Sequence, residues 1–103
     1  MVQMRLKQNF PKVSIGIPVY NGEHFLDEKI KSILDQTFSN YEIIISDNAS
    51  TDKTSIICNK FAKNEPKIRY IRQEKNIGVW GNFNFVLKEA KGFFKPEFLN
   101  RLD

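Results

Sequence analysis

Two polar stretches hold most of the residues with chemistry to offer. Pro18 to Glu23, PVYNGE, supplies a tyrosine ring, an amide and a carboxylate, and Asp47 to Asp52, DNASTD, supplies two carboxylates, an amide and two hydroxyls. Groups of this kind capture ligands by hydrogen bonds and charge. Covalent catalysis is not signalled, because His24 has no Ser or Cys nucleophile at a recognisable motif. The single Cys58 excludes an internal disulfide and, with one His, a Cys/His zinc site. No G-x-x-x-x-G-K-[ST] phosphate loop occurs. A phosphoacceptor domain needs an acidic pair after its first strand, where this chain has Pro18-Val19-Tyr20-Asn21.

The flanking patterns place both stretches at one edge of a parallel sheet. Val13, Ile15, Ile17 and Val19 alternate with small residues, which predicts a central strand packed closely by helices. Asn21 and Gly22 turn the chain, with Asn21 as N-cap of a helix that buries Phe25, Leu26, Ile30, Ile33 and Leu34. The unbroken run Ile43-Ile44-Ile45 predicts a second strand, Tyr41 to Ser46, covered on both faces. A loop capped by Ser50 or Thr51 then opens a helix with Ile56, Ile57 and Phe61 inward. A third strand is expected over Lys67 to Arg72, followed by a third helix from Val79 to about Lys91. Val79, Phe83, Val86, Leu87 and Ala90 share its inner face, and Gly92 is its C-cap.

The order β-α-β-α-β-α, with right-handed crossovers, predicts a three-layer Rossmann-like α/β half-domain with parallel strands in order 3-2-1. Residues 1–11 form a lead-in, 12–92 the domain and 93–103 an atypical tail. FFKPEFLNRLD reads as a poor strand because Pro96 interrupts it and no alternation follows. Strand one is then expected to have an open edge. Ligands of open α/β sheets bind outside the carboxyl ends of the strands, where both polar stretches lie.

Composition agrees with one small globular domain of 103 residues, 41% apolar and 27% charged. The net charge of +4 comes from scattered Lys and Arg rather than a basic stripe, so nucleic acid is not an expected partner. No secretory leader pattern or membrane-length apolar run is present, and a cytoplasmic location is expected. Cys58 is expected to be a buried small hydrophobe. Acids at helix N-termini favour the macrodipole, the reading preferred for Asp52, whereas Asp47 is read as ligand-binding and Glu23 stays open between the two.

The chain resembles the N-terminal half of an inverting family-2 glycosyltransferase with a GT-A fold. The marks are P-x-Y-N-x-E at Pro18 to Glu23, D-N-x-S-x-D at Asp47 to Asp52, and N-x-G at Asn76 to Gly78, in order and each at a strand end. The resemblance spans about residues 12 to 92. It implies that the domain binds the nucleoside diphosphate of a UDP- or dTDP-sugar, for transfer to a hydroxyl of a saccharide or lipid-linked acceptor. Pro18, Tyr20 and Asn21 would line the nucleotide pocket, with Tyr20 near the base, and Glu23 would lie near ribose and phosphate. Asp47 would accept from the pyrimidine N3–H, and Asn76 and Gly78 would let the backbone approach the nucleotide. Asn82 and Asn84 are left open as further contacts.

The departures from the family pattern concern catalysis. The family's DXD motif, which holds Mg²⁺ or Mn²⁺ on the diphosphate, has no counterpart, since Leu102-Asp103 offers one aspartate. No catalytic residue or metal ligand is assigned in this chain, and no transfer by it alone is expected. The location implied is cytoplasmic, extending to the inner membrane face. KPEFLNRLD is also similar to a short motif of Clp-type AAA+ ATPases in which an arginine, here Arg101, acts on a neighbouring nucleotide; no function is expected from it here. The alternative reading is a non-catalytic assembly module, a homodimer formed through the open sheet edge or an exposed Phe-rich surface at Phe83, Phe85, Phe93, Phe94 and Phe98.

Overall fold

β-Branched residues at alternate positions hold Val13–Val19 extended as β1, and the continuous apolar run makes Tyr41–Asp47 into β2. The structure is a computed structural model and describes residues 10–98. Helix α1 spans Leu26–Leu34, α2 Thr54–Asn64 and α3 Gly78–Glu89; β3 is Ile68–Arg72 and β4 is Phe93–Pro96. All strand pairings are parallel, in the order β3-β2-β1-β4. The expected order 3-2-1 is present, and every residue of β2 is buried.

Pleating gives the sheet two unlike faces, because successive side chains alternate. Ile15, Ile17, Val19, Ile43 and Ile45 meet Leu26, Ile30 and Ile33 of α1 and Cys58 of α2 in a dry core. Each fully buried aliphatic contributes about 1.5–3 kcal/mol there. The opposite face carries Ser14, Gly16, Glu42, Ile44 and Ser46, and α3 covers it with Asn82 and Val86. The approach is close: a Cβ on Gly16 would lie 2.6 Å from Phe94 Cε1 and 3.1 Å from Val86 Cγ2. This explains the small residues on that side of β1.

A polar cluster ties the chain's return to the sheet. Ser14 Oγ donates to Glu42 Oε2 at 2.6 Å and accepts from the Gly92 N–H at 2.7 Å. The Lys91 N–H donates to Glu42 Oε2 at 2.9 Å, and Arg69 Nη1 donates to Glu89 Oε1 at 2.9 Å. These bonds aim residues 91 and 92 along β1, where Phe93 N–H donates to Lys12 O at 2.9 Å.

The expected open edge at strand one is therefore corrected: β4 pairs with it from Val13↔Phe93 to Gly16↔Pro96. Pro96 does not disrupt the ladder because the bonds to β1 come from alternate residues, Phe93 and then, at its far end, Glu97, whose N–H donates to Gly16 O at 2.9 Å. The proline faces the outer side of an edge strand, where no partner needs its missing donor. Gly92 is not a helix cap. Its added Cβ would lie 2.4 Å from Pro11 O, so glycine is required by close backbone approach.

Several helix details also differ. Asn21 does not cap α1; Phe25 occupies that position and makes no side-chain cap bond. Phe25, Ile56, Val79 and Leu87, expected inward, are exposed, because each helix buries a narrower stripe than its apolar residues suggest. Neither Ser50 nor Thr51 caps α2; Asp52 Oδ1 accepts from the Thr54 N–H at 2.9 Å instead. Cys58 is wholly buried, as expected. Among the described residues no helix is long and apolar enough to cross a membrane. Arg101 and Asp103, named above for the tail, lie outside the described residues.

Candidate functional site

Three loops meet at the carboxyl edge of the sheet, and each contains a left-handed residue: Asn21 at φ 53°, Ala49 at φ 62° and Gly78 at φ 85°. Such backbone turns sharply, which keeps the loops short and brings their side chains together. The first two loops clasp each other. Asn21 N–H donates to Ser50 Oγ at 2.8 Å, and Asn21 Oδ1 accepts from Thr51 N–H at 2.8 Å. Glu23 Oε1 accepts from Lys53 N–H at 3.0 Å, while Asp52 Oδ2 accepts from Glu23 N–H at 3.1 Å. Burial would raise the Asp52 carboxyl pKa, but bonds from the Thr54 hydroxyl and the Thr54 and Glu23 amides outweigh it and hold the group below its ordinary value.

Asn48 fastens the second loop to the third. Its Oδ1 accepts from Ile77 N–H at 2.8 Å and its Nδ2 donates to Gly78 O at 3.1 Å. Asn76 Oδ1 accepts from Gly78 N–H at 2.8 Å, closing the turn into α3. A Cβ on Gly78 would meet no atom within 4 Å, so its left-handed backbone, not crowding by this chain, is what favours glycine. Beneath, Ser46 Oγ donates to Asn82 Oδ1 at 2.6 Å, Asn82 Nδ2 donates to Ser46 O at 3.0 Å, and Gln73 Nε2 donates to Ser46 Oγ at 3.0 Å.

These elements surround a cavity of about 620 Å³, within the range of small-ligand sites. Pro18, Val19 and Tyr20 line it from the end of β1, Asn48 from the loop after β2, Val79 and Asn82 from α3, Lys29 from α1, and Pro96, Glu97 and Phe98 from β4 and beyond. Tyr20 is half exposed, leaving its ring open to a ligand. Of the residues singled out in the sequence, Pro18 and Tyr20 line the cavity and Asn82, left open, joins them. Asn21 and Glu23 hold the loop clasp, and Asn76 and Gly78 shape the α3 turn. Asn84 is exposed and does not line the cavity.

Asp47 occupies a different place from the one expected of a base-reading carboxylate. It is wholly buried, with Oδ2 accepting from Tyr70 Oη at 2.6 Å and Arg72 Nη1 at 3.2 Å, and Oδ1 accepting from Ser50 N–H at 2.9 Å. Burial first, and then the bond to Asp47, push the Tyr70 phenol above its ordinary range. The cavity is lined instead by the next residue, Asn48. Sequence reading missed Asn48, Lys29, Val79, Glu97 and Phe98. The signal for Asn48 was available in the strand's two-residue period, which sends neighbours to opposite faces.

Glu97 is the carboxylate on the cavity wall. Its Oε1 lies 3.0 Å from Lys29 Nζ and its Oε2 lies 2.6 Å from Lys95 Nζ. Burial would raise its pKa, but the bonds and charges of the two lysines prevail and lower it. Among the described residues no group of three or more His, Cys, Asp or Glu is placed to hold a metal ion. A single carboxylate already neutralised by two ammonium groups does not make a divalent cation site.

The family model described as glycosyl transferase family 2 matches residues 14–94. The chain is 38% identical over 85 residues to the GalNAc(5)-diNAcBac-PP-undecaprenol beta-1,3-glucosyltransferase of Campylobacter jejuni, covering 82% of this chain and 28% of that protein. The structure superposes on S. aureus TarS 1-349 in complex with UDP at a TM-score of 0.78 and 29% identity, covering 85% of this chain and 27% of that one. It superposes on the mannosyltransferase PcManGT from Pyrobaculum calidifontis in complex with GDP-Man and Mn²⁺ at a TM-score of 0.70 and 26% identity, covering 79% and 25%. The chain thus spans about a quarter of the length of these three relatives.

Proposed function

The chain belongs to glycosyl transferase family 2, and on that premise we propose that its cavity holds the nucleoside diphosphate of a UDP- or dTDP-sugar. The observation that carries this is the cavity itself, at the carboxyl edge of a parallel sheet, with an open tyrosine ring and a polarised amide on its wall. Tyr20 offers the base a flat face. Asn48 spends one lone pair and one N–H on the α3 turn, so a second of each remains for the edge of a base. A pyrimidine that presents N3–H beside a carbonyl is complementary to that pair. In this reading Pro18 and Asn82 pack beside the base, Asp47 fixes the loop from behind through Ser50, and Asn21, Glu23, Asn76 and Gly78 hold the surrounding backbone.

The UDP seen in the TarS complex supports the choice of ligand. The sugar is then presented toward the rest of a longer enzyme, for transfer to an acceptor hydroxyl at the cytoplasmic side of a membrane or in the cytoplasm. The undecaprenol-linked substrate in the name of the Campylobacter relative favours a lipid-linked acceptor. A divalent ion, as in the Mn²⁺ complex of PcManGT, would come to the diphosphate from ligands beyond the described residues. Calorimetric titration of the chain with UDP tests the pocket: we expect saturable binding that Asn48→Ala weakens by about tenfold, the worth of one to two hydrogen bonds. Equal binding by a folded Asn48→Ala variant would remove Asn48 from the site.

A second reading is favoured by the apolar surface beside the cavity. Val79 and Trp80 are 76% and 73% exposed, and Trp80, Phe83 and Phe94 stack edge to face in a row. Surfaces of this kind associate. Sedimentation at micromolar concentration distinguishes a dimer formed there from a monomer.

A further inference from the structure

Within the proposed nucleotide site, we infer that Lys29 is the cation that receives the diphosphate and that Glu97 occupies it while the site is empty of ligand. The inference rests on the nucleotide reading above. Among the described residues lining the cavity, Lys29 is the cation and Glu97 the anion. They reach across it from α1 and from the segment after β4, with 3.0 Å between Nζ and Oε1. Their side chains are 30% and 22% exposed, so solvent screens the pair less than it would on open surface.

A carboxylate on an ammonium group presents the same charge and acceptor chemistry as a phosphate oxygen. Lys29 is therefore already placed to bind an anionic oxygen. Glu97 can give it up at modest cost, because its other oxygen keeps Lys95 at 2.6 Å. The exchange leaves neither a bare ammonium nor an orphaned carboxylate. Until Glu97 swings away, it repels the diphosphate, and the cavity wall carries no net charge. Asn48 follows β2 and Glu97 follows β4, on either side of β1 in the sheet, and neither Tyr20 nor Asn48 hydrogen-bonds to Lys29 or Glu97. Discrimination between a nucleoside and its diphosphate is thus assigned to Lys29 and Glu97, and recognition of the base to the far wall.

The test is metal-free calorimetry of the whole chain with UDP and, separately, with uridine. Lys29→Gln is expected to weaken UDP by on the order of tenfold, the worth of a charge-assisted hydrogen bond, and to leave uridine unchanged. Lys29→Arg restores UDP binding. Glu97→Gln tightens UDP several-fold, again with uridine unchanged. Weaker UDP binding by Glu97→Gln, or equal UDP binding by every variant while uridine still binds, overturns the exchange and leaves the pocket standing. A parallel loss of UDP and uridine in Lys29→Gln that Lys29→Arg does not rescue assigns Lys29 a packing role and likewise overturns it. If neither ligand binds the folded wild-type chain, the nucleotide reading falls and this inference falls with it.

Discussion

Asp47, Asn48 and Asp52 are each placed by the backbone amides they serve. Asp52 is the clearest case: it closes α2 and grips the β1 loop, and its hydrogen bonds more than offset its desolvation. Its native pKa lies below the unfolded value of 3.8. The unfolded chain then takes up the proton first as pH falls, so the stabilisation is present above the unfolded value and is lost as pH drops through the native one. Urea denaturation from pH 6 to pH 2 should show Asp52→Asn less stable than wild type at the upper end, by about 1 kcal/mol. The two curves should converge in acid, and a constant offset would show that the carboxylate's charge is not what matters. Asp47 serves the same loop from behind, through Ser50, which is why a carboxylate adjoining the cavity does not line it.

At the level of elements, the decisive contacts are those that seat β4 against β1. Gly92 and Gly16 both lie on this seam, but they are crowded by different atoms. A Cβ on Gly92 would meet Pro11 O at 2.4 Å and Lys12 C at 2.8 Å, backbone atoms held in the ladder. On Gly16 it would meet the ring of Phe94 at 2.6 Å and Val86 Cγ2 at 3.1 Å, side-chain atoms that can shift further than backbone held in a ladder. Gly92→Ala should therefore cost more than Gly16→Ala, with about 1–3 kcal/mol for the former. Denaturant midpoints compare the two, and amide exchange at Phe93 and Glu97 reports whether β4 has detached. Equal costs would mean that the β4 register adjusts freely. The same seam delivers Glu97 to the cavity, so Gly92→Ala should also alter UDP binding.

For the molecule as a whole, the dry core between the sheet and the α1–α2 layer carries the cooperativity, while the α3 layer is tied by polar bonds. Cys58 is a probe of the first. Burial, then the charges of Asp47 and Asp52, push its thiol up to about 12, so at neutral pH it is both inaccessible and protonated. Labelling by a thiol reagent should proceed only through global unfolding, with a rate that follows the unfolded fraction as urea is added. Rapid labelling in the absence of urea would show that α2 opens by itself. Between pH 9.0, the ordinary thiol value, and about 12 the unfolded chain alone loses this proton, so stability should decline as pH rises through that window.

Local physics determined much of this protein from sequence alone. Strand alternation, helical spacing and turn residues are properties of a few neighbouring positions, and they suffice for three β-α units in parallel order 3-2-1. They also suffice for the buried run of β2 and for the sheet edge where the loops converge. Three motif-bearing loops, and Pro18 and Tyr20 on the cavity wall, were legible for the same reason. What tertiary structure decided depends on partners far along the chain. Phe93–Pro96 has little intrinsic strand character and becomes β4 because Ser14, Glu42 and the free side of β1 await it. Lys29 and Glu97 are 68 positions apart and meet only when α1 and β4 flank the same cavity. That Asn48 and not Asp47 lines the cavity turned on one step of pleat, a difference that composition does not record: both side chains are buried, and the packed sheet turns Asp47 away from the cavity while Asn48 stays on its wall.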